Sequence, residues 1–475
     1  MIYKYYGPPG TGKTYKLISR AKAYHRTGTP LHKIGYFAFT RKAAEEAKKR
    51  MPAEENQIPY FQTFHSFAYK TLGINEENVM QPMHYQMLGN NLGIRIKFSD
   101  KNNKEETNYL RSDSEYFRII QRAINKDTTV RHEYNLGEYN RKEIDKILLF
   151  HLYKNFLAYK NSYGLYDFND MIKLLIHYDK IPKFDVIFID EAQDLSPLQW
   201  MLYDVLKNYT KDIYLAGDDD QAIFAWAGAD VDRFITEPAK EKVLIYSKRV
   251  SSTIQSESVK PISRIRGLRK PKVYYPRSDK GSSSYISNIE QVDLNKGKWL
   301  ILTRIRSQAN DIMKILKRKN YYYMHKKDKS YSVKLYKAIK NYNKWVSNPD
   351  SLDEKELKDI LKYTDKTELK DRLDWYTLFT KAHEKEKYYI RSLLDKGENL
   401  DEDARIRVST IHSIKGGEED NVILSLHQGL KIQRSIRKSN EKRDEEDRVW
   451  YVGITRAKNN LYKLKTNNKL TEYNI

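Results

Sequence analysis

The sequence predicts an α/β protein built on parallel sheets with helical insertions, and three observations carry that expectation. Short β-rich runs ending in polar residues recur at 2–6, 34–39, 185–189, 212–216, 242–246, 299–303, 407–411 and 421–424. Each reads as a buried strand whose C-terminal end carries the chemistry, as doubly wound parallel sheets require. Helical patterns lie between them, for example at 41–51 and 198–208, and repeated strand–helix alternation means an α/β core. Two long charged, helix-like intervals, 73–164 and 346–404, break the alternation and read as subdomains inserted between strands. Gly281-Ser282-Ser283-Ser284 reads as a flexible joint or exposed loop, and no solenoid-type repeat is visible.

Composition narrows the function. The 475 residues predict about three domains, and a 40% hydrophobic content is enough to build their cores. The 86 Lys and Arg against 63 Asp and Glu leave a net charge of +23, which favours polyanions, nucleic acid first. With no cysteine there is no disulfide framework, thiolate zinc site or iron–sulfur cluster, in keeping with a reducing cytoplasm. No stretch approaches the roughly 18 apolar residues of a membrane span, and no secretory signal opens the chain, so the expectation is a cytoplasmic protein without a membrane partner. The 38 tyrosines and abundant lysines also fit a coding sequence biased towards A and T.

The run 2–6 leads into Gly7-Pro8-Pro9-Gly10-Thr11-Gly12-Lys13-Thr14, which matches G-x-x-x-x-G-K-[ST] in the strand–loop–helix setting of a P-loop. Glycines let backbone N–H groups curl around phosphates, Lys13 reaches the β/γ oxygens, and the Thr14 hydroxyl ligates Mg²⁺. The apolar run 185–189 delivers Asp190 and Glu191 at its C-terminal end. Asp190 suits a Mg²⁺ ligand acting through water and Glu191 the group that polarises the attacking water.

In order, the motifs resemble those of the UvrD/Rep/PcrA-type superfamily 1 DNA helicases. Phe39-Thr40-Arg41-Lys42-Ala43-Ala44 resembles motif Ia, and Phe61-Gln62-Thr63-Phe64-His65-Ser66 the next DNA-contacting segment. Leu165-Tyr166-Asp167-Phe168-Asn169-Asp170-Met171 resembles the lead into the acidic motif. Residues 216–230, with Gly217-Asp218-Asp219-Asp220-Gln221 and Trp226, are similar to the family's "GDDDQSIYxWRGA". Residues 408–418, with His412, Ser413, Lys415, Gly416 and Glu418, resemble motif V, and 448–457, with Arg456, motif VI.

The resemblance implies two RecA-like motor domains, 1–72 with 165–247 and 248–345 with 405–475, carrying a helical insertion at 73–164 and a reduced second insertion at 346–404. It implies ATP bound between the two motors with Mg²⁺. Gln221 would sense the γ-phosphate from one side, Arg456 would act as a finger from the other, Arg249 would be the second arginine, and Glu418 would contact the ribose. Phe39, Thr40, Phe64, His65, Trp226 and His412 would contact single-stranded DNA; the bland reading of the aromatics among them is core packing. The implied activity is an ATP-dependent single-stranded DNA translocase and 3′→5′ helicase. Its substrates would include DNA junctions, its processes replication or repair, and its setting the nucleoid or phage replication. An RNA-directed helicase of the same fold, and a nucleotide-binding nucleic-acid module with little catalysis, are the alternatives. The segment 314–344 holds eleven Lys/Arg, one Asp and six tyrosines, and reads either as a backbone-tracking surface or as a solvated basic helix.

The pattern departs from the family in places. Six residues precede Gly7, too few for the usual adenine-reading glutamine segment. Lys248 stands where a tyrosine normally stacks on adenine, so base selectivity is expected to be loose. Ala227 stands where the family has the arginine after the tryptophan. With the short second insertion, these features lead to the expectation of a compact, phage-encoded member.

Overall fold

The computed structural model describes residues 1–94, 96, 114–137, 144–178, 180–414 and 417–475. The chain divides into two compact units. The first comprises Met1–Val250, Pro261–Ser278 and Ser439–Tyr451, and the second Ser251–Lys260, Asp279–Lys438 and Val452–Ile475.

In the first unit, β1 (Ile2–Tyr6), β2 (Ile34–Phe37), β3 (Phe61–Gln62), β4 (Phe184–Ile189), β5 (Thr210–Gly217) and β6 (Lys240–Val243) form a parallel sheet in the order β3-β2-β4-β5-β1-β6. The nearly unbroken apolar run of β4, with Val186–Ile189 fully buried, is what a strand covered by helices on both faces needs. The helices α1 (Lys13–Arg26), α2 (Arg41–Lys49) and α3 (Phe64–Thr71) follow the first three strands. Thr40 and Thr63 cap α2 and α3 by accepting N–H bonds from Ala43 and Ser66.

Between α3 and β4 the chain builds a group of helices. Its helices α4 (Pro82–Asn91), α5 (Glu115–Asn125), α6 (Val130–Leu136) and α7 (Lys146–Tyr163) bury a core of their own around Tyr85, Phe117, Leu149 and Phe156. Gly164, at φ 59°, ends α7 in the left-handed region. Helix α8 (Phe168–Ile176) then opens with a capping box between Asp167 and Asp170, and the buried Lys160 of α7 bonds both carboxylates. Helices α9 (Pro197–Leu206) and α10 (Val231–Thr236) complete this layer.

The second unit holds a seven-stranded sheet, in which β7 (Ser282–Ile286), β8 (Trp299–Thr303), β9 (Tyr323–His325), β10 (Asp328–Lys329), β11 (Ile406–Thr410), β12 (Glu419–Ser425) and β13 (Ala457–Leu464) run in the order β10-β9-β11-β8-β12-β13-β7. All pairs are parallel except β9–β10. Helix α11 (Ser252–Ile262) lies in this unit up to Lys260, and α12 (Arg306–Arg318) packs on the sheet through Ala309, Ile312 and Leu316. Helices α13 (Val333–Ser347), α14 (Glu354–Leu361), α15 (Trp375–Leu378) and α16 (Glu384–Asp395) surround a separate core that includes Tyr342, Phe379 and Tyr389. Helix α17 (Leu430–Lys438) precedes α18 (Asn440–Ile454), whose residues up to Tyr451 belong to the first unit.

Three sequence expectations change here. The serine run is no flexible joint: Ser282–Ile286 is an edge strand paired with β13, and a side chain at Gly281 would collide with Ser251 and with the Asn459 carbonyl. Small polar residues suit an edge that faces solvent, which composition alone does not distinguish from a linker. The 314–344 segment spends its tyrosines on packing, since Tyr322, Tyr331 and Tyr342 lie in the α13–α16 core. Its lysines Lys337, Lys340 and Lys344 pair with Asp359, Asp401 and Glu356 at 2.8–2.9 Å. The unit division also differs from the sequence partition, because Lys248–Val250, Pro261–Ser278 and Ser439–Tyr451 pack with the first unit. Among the described residues no helix is long and apolar enough to cross a membrane.

Candidate nucleotide-binding site

The C-terminal ends of β1, β5 and β4 lie side by side, and the groups that could do chemistry sit there. The loop after β1 is tied to β5 by the Gly7 amide, which donates to the Gly217 carbonyl at 3.0 Å. Gly10 and Gly12 take φ of 74° and 82°, a region that favours glycine, and α1 starts directly behind them. Any Cβ at Gly7 would fall 2.1 Å from Lys13 Cγ, so the loop closes tightly on its own lysine, whose Nζ donates to the Gly7 carbonyl at 2.7 Å. Thr11 Oγ1 donates to the Pro8 carbonyl at 2.8 Å.

Across from this loop, the Thr14 hydroxyl donates to Asp190 Oδ2 at 2.6 Å and the Tyr36 hydroxyl to the same oxygen at 2.9 Å. Asp190 is buried, and that burial, reinforced by the neighbouring Glu191 charge, raises its pKa against the pull of Thr14, Tyr36 and Lys13. A buried carboxylate whose charge is under-compensated, facing a threonine hydroxyl, is a pair of hard oxygen donors of the kind Mg²⁺ accepts. Two protein oxygens are a donor set that fits an ion completing its shell with phosphate and water.

Glu191 sits at φ 57°, unusual for a non-glycine residue, which turns it away from the strand direction. Gln193, fully buried, donates from Nε2 to Glu191 Oε2 at 2.5 Å and to Asp194 Oδ2 at 3.2 Å, while its Oε1 accepts the Asp218 N–H at 3.0 Å. Gly217 makes room for this: a Cβ there would lie 2.6 Å from Gln193 Oε1 and 2.7 Å from Phe234 Cζ. Asp218 Oδ2 in turn accepts from Gln221 Nε2 at 2.7 Å. Gln193 was not singled out by the sequence reading, because its role depends on β4 and β5 being neighbours.

Arg249 stands against the P-loop in the same unit. The Lys248 amide donates to the Gly10 carbonyl at 2.9 Å, Ser247 Oγ donates to the Pro9 carbonyl at 2.7 Å, and a Cβ on Gly10 would lie 2.3 Å from Arg249 Cβ. Thus Lys13, Thr14, Asp190, Glu191, Gln221 and Arg249 belong to one unit. Glu418, His412 and Arg456 belong to the other. There Arg456 is buried, with Nε donating to the Val452 carbonyl at 3.1 Å and Nη1 to the Gly417 carbonyl at 3.3 Å. Lys458 Nζ stands 3.3 Å from Glu418 Oε1. His412 is half-buried in the turn after β11, and Lys415 and Gly416 of the same motif lie outside the described residues.

The residues expected to touch DNA are distributed unevenly. Trp226 is 38% exposed beside Phe224, on which Phe39 stacks at 5.2 Å. The adjoining turn is braced by Asn125 of α5, whose Nδ2 donates to the Ala227 carbonyl at 3.1 Å. Thr40 is half-buried at its cap position. Phe64 and His65 are in the interior: Phe64 stacks on Phe37 at 4.9 Å, and burial pushes His65 down to about 4, so its ring is neutral at physiological pH.

A phosphate-cradling loop after one strand and a carboxylate pair after another, on a parallel sheet covered by helices, define a P-loop nucleotide site on a RecA-like α/β unit. The chain belongs to the UvrD/REP helicase family: residues 5–241 match the UvrD/REP helicase N-terminal domain and residues 333–468 the UvrD-like helicase C-terminal domain. It is 26% identical over 252 residues to the ATP-dependent DNA helicase PcrA of Staphylococcus epidermidis, covering 48% of this chain and 32% of that protein. To PcrA of Staphylococcus aureus it is 22% identical over 387 residues, 74% of this chain and 50% of the relative. It is also 26% identical over 241 residues to the putative ATP-dependent DNA helicase YjcD of Bacillus subtilis, 46% of this chain and 30% of that one. These alignments span between 30% and 50% of the relatives' lengths.

Proposed function

We propose that the chain is an ATP-driven translocase on single-stranded DNA that unwinds duplexes and junctions in the 3′→5′ direction with Mg²⁺ as cofactor. The observation that carries the reading is the unbroken hydrogen-bonded line from Thr14 through Asp190, Glu191, Gln193 and Asp218 to Gln221. It connects the group that would hold the metal, the group that would position water and the group that would sense the γ-phosphate.

In this reading the amides of Gly7–Gly12 and Lys13 bind the phosphates, and Thr14 and Asp190 would hold Mg²⁺, which supplies charge neutralisation on the β- and γ-oxygens. Glu191 orients the attacking water, with its carboxylate fixed by Gln193. Arg249 and Arg456 offset the charge on the transferring phosphoryl, and Glu418 contacts the ribose. The similarity to ATP-dependent DNA helicases supports DNA as the polymer and ATP as the fuel. The 3′→5′ direction rests on the likeness of Gly217–Asp230 to the family's third motif. Among the proposed DNA contacts, Trp226 is the exposed stacking ring and Phe39 stacks on the neighbouring Phe224, with Thr40 and His412 proposed as further contacts.

The test is nucleotide hydrolysis with and without single-stranded DNA, followed by unwinding of duplexes tailed at either end. Hydrolysis is expected to rise steeply with DNA and unwinding to need a 3′ tail; unwinding from 5′ tails alone overturns the polarity. Trp226→Ala is expected to weaken single-strand binding by about 1–3 kcal/mol. The salt dependence of binding should be unchanged, since the indole supplies stacking and no phosphate charge. A flattened salt slope in that variant would show that Trp226 acts on the cationic track instead.

A further inference from the structure

Asp218, Asp219 and Asp220 follow one another at the end of β5, and all three are buried. Three adjacent carboxylates in a water-poor interior cannot all stay ionised without cations beside them. One later segment of the same unit provides those cations. Arg269 grips Asp220 with Nε at 2.6 Å and Nη2 at 3.0 Å. Lys272, 1% exposed, places its ammonium 3.0 Å from Asp218 Oδ1 and 3.0 Å from Asp220 Oδ2, and it also bonds Asp219 Oδ1. The backbone N–H of Lys270 fills the remaining oxygen of Asp219 at 2.9 Å. Burial by itself would lower the Lys272 pKa, but the charges of Asp218, Asp220 and Asp219 outweigh it and hold the ammonium protonated.

The arrangement has a consequence at Asp218. One of its oxygens faces Lys272 and the other accepts from Gln221, while its backbone N–H is held by Gln193, which also holds Glu191. We propose that Lys272 is a positioning residue for hydrolysis: by pinning Asp218, it fixes the direction of the Gln221 amide and completes the shell behind Glu191. This rests on the reading of Gln221 as the γ-phosphate sensor. Lys272 touches no nucleotide in this scheme and acts only through Asp218.

A role confined to stability would let Lys272 and Gln221 act independently, so the test is a double-mutant cycle read in turnover. Steady-state kcat and KM for ATP with saturating single-stranded DNA are measured for wild type, Lys272→Met, Gln221→Ala and the double variant, with Tm for each. Lys272→Met is expected to lower kcat by about 10- to 100-fold, the range for losing an outer-shell partner, with KM nearly unchanged. The double variant should be no slower than Gln221→Ala alone, and Lys272→Arg should recover part of the loss by restoring charge.

Lys272→Met leaves three carboxylates facing one arginine, which threatens folding. Lys272→Gln combined with Asp219→Asn removes one charge of each sign and keeps the balance of the cluster; it should fold and show the same loss of kcat. Wild-type turnover in that folded variant, or losses that multiply in the double variant, overturns the inference. Wild-type turnover in Gln221→Ala alone overturns the sensor reading and the inference together. A loss in Gln221→Ala with none in the Lys272 variants overturns the inference alone.

Discussion

Lys13→Ala is expected to abolish nucleotide hydrolysis, and Glu191→Gln to keep nucleotide binding while stopping turnover. The two should fail for different reasons. The Lys13 ammonium donates to the carbonyl of Gly7 in its own loop, whose other ties, Gly7 N–H to Gly217 and Thr11 to Pro8, an alanine leaves in place, while the cation that would meet the β- and γ-phosphates is lost. Glu191→Gln is nearly isosteric, and a glutamine oxygen can still accept from Gln193, so the loop keeps its shape. What disappears is the negative charge that orients and polarises water, a contribution of about 10²- to 10⁴-fold for a positioned general base. Equilibrium titration with a fluorescent nucleotide and single-turnover hydrolysis with saturating DNA separate the two effects. Hydrolysis at the wild-type rate in either variant would remove the assignment of this loop and carboxylate as the motor's site.

Where the chemistry is contiguous in the chain, the sequence is enough to find it. Residues 7–14 carry their own glycines, lysine and threonine, and 185–191 carry an apolar strand with its carboxylates, so spacing alone places Lys13, Thr14, Asp190 and Glu191 at strand ends. Order along the sheet is another matter. That Gln193 reaches Asp218, and that Lys272 and Arg269 neutralise the aspartate turn, follows from β4 and β5 pairing and from a distant segment folding back onto them. No local pattern announces either, and the only clue in the sequence is three consecutive acids at the end of an apolar strand, which demand cations from elsewhere.

The aromatics illustrate the opposite failure. Phe64 and His65 fall in a segment with a DNA-contacting look, yet the first turn of α3 faces the sheet and Phe37 claims Phe64. Trp226 comes to the surface on a turn whose Ala227 carbonyl accepts from Asn125, a contact from far along the chain. Two neighbouring strands of the second sheet carry weak local signals. The edge strand Ser282–Ile286 lacks the apolar alternation of a half-buried strand, and Ala457–Leu464, paired on both sides, mixes lysine and asparagine into its run; tertiary pairing overrides both compositions.

Arg249→Ala and Arg456→Ala are each expected to reduce hydrolysis by about 10³- to 10⁵-fold, the worth of an arginine that stabilises charge on a transferring phosphoryl group. DNA affinity should stay close to wild type, because neither guanidinium is proposed to meet the DNA backbone. The two sites call for different controls. At Arg249 the contacts with the P-loop run through the Lys248 amide, the Ser247 hydroxyl and the Arg249 Cβ, all of which an alanine retains. Loss of turnover there isolates the guanidinium, and because Arg249 stands directly on the phosphate loop, a rise in KM for ATP should accompany it.

Arg456 is buried, and its Nε and Nη1 satisfy the carbonyls of Val452 and Gly417. Removing it strands polar groups and costs about 1–3 kcal/mol for each one left unsatisfied. Arg456→Lys is therefore the sharper variant: it keeps a cation of similar length, loses the planar fork, and should keep most of the stability while losing most of the rate. Turnover per DNA-bound molecule, measured beside Tm, distinguishes the outcomes. If Arg456→Lys hydrolyses at the wild-type rate, its guanidinium is a structural clasp for the Gly417 turn and no finger; if either variant loses DNA binding with turnover per complex intact, that arginine belongs to the DNA track.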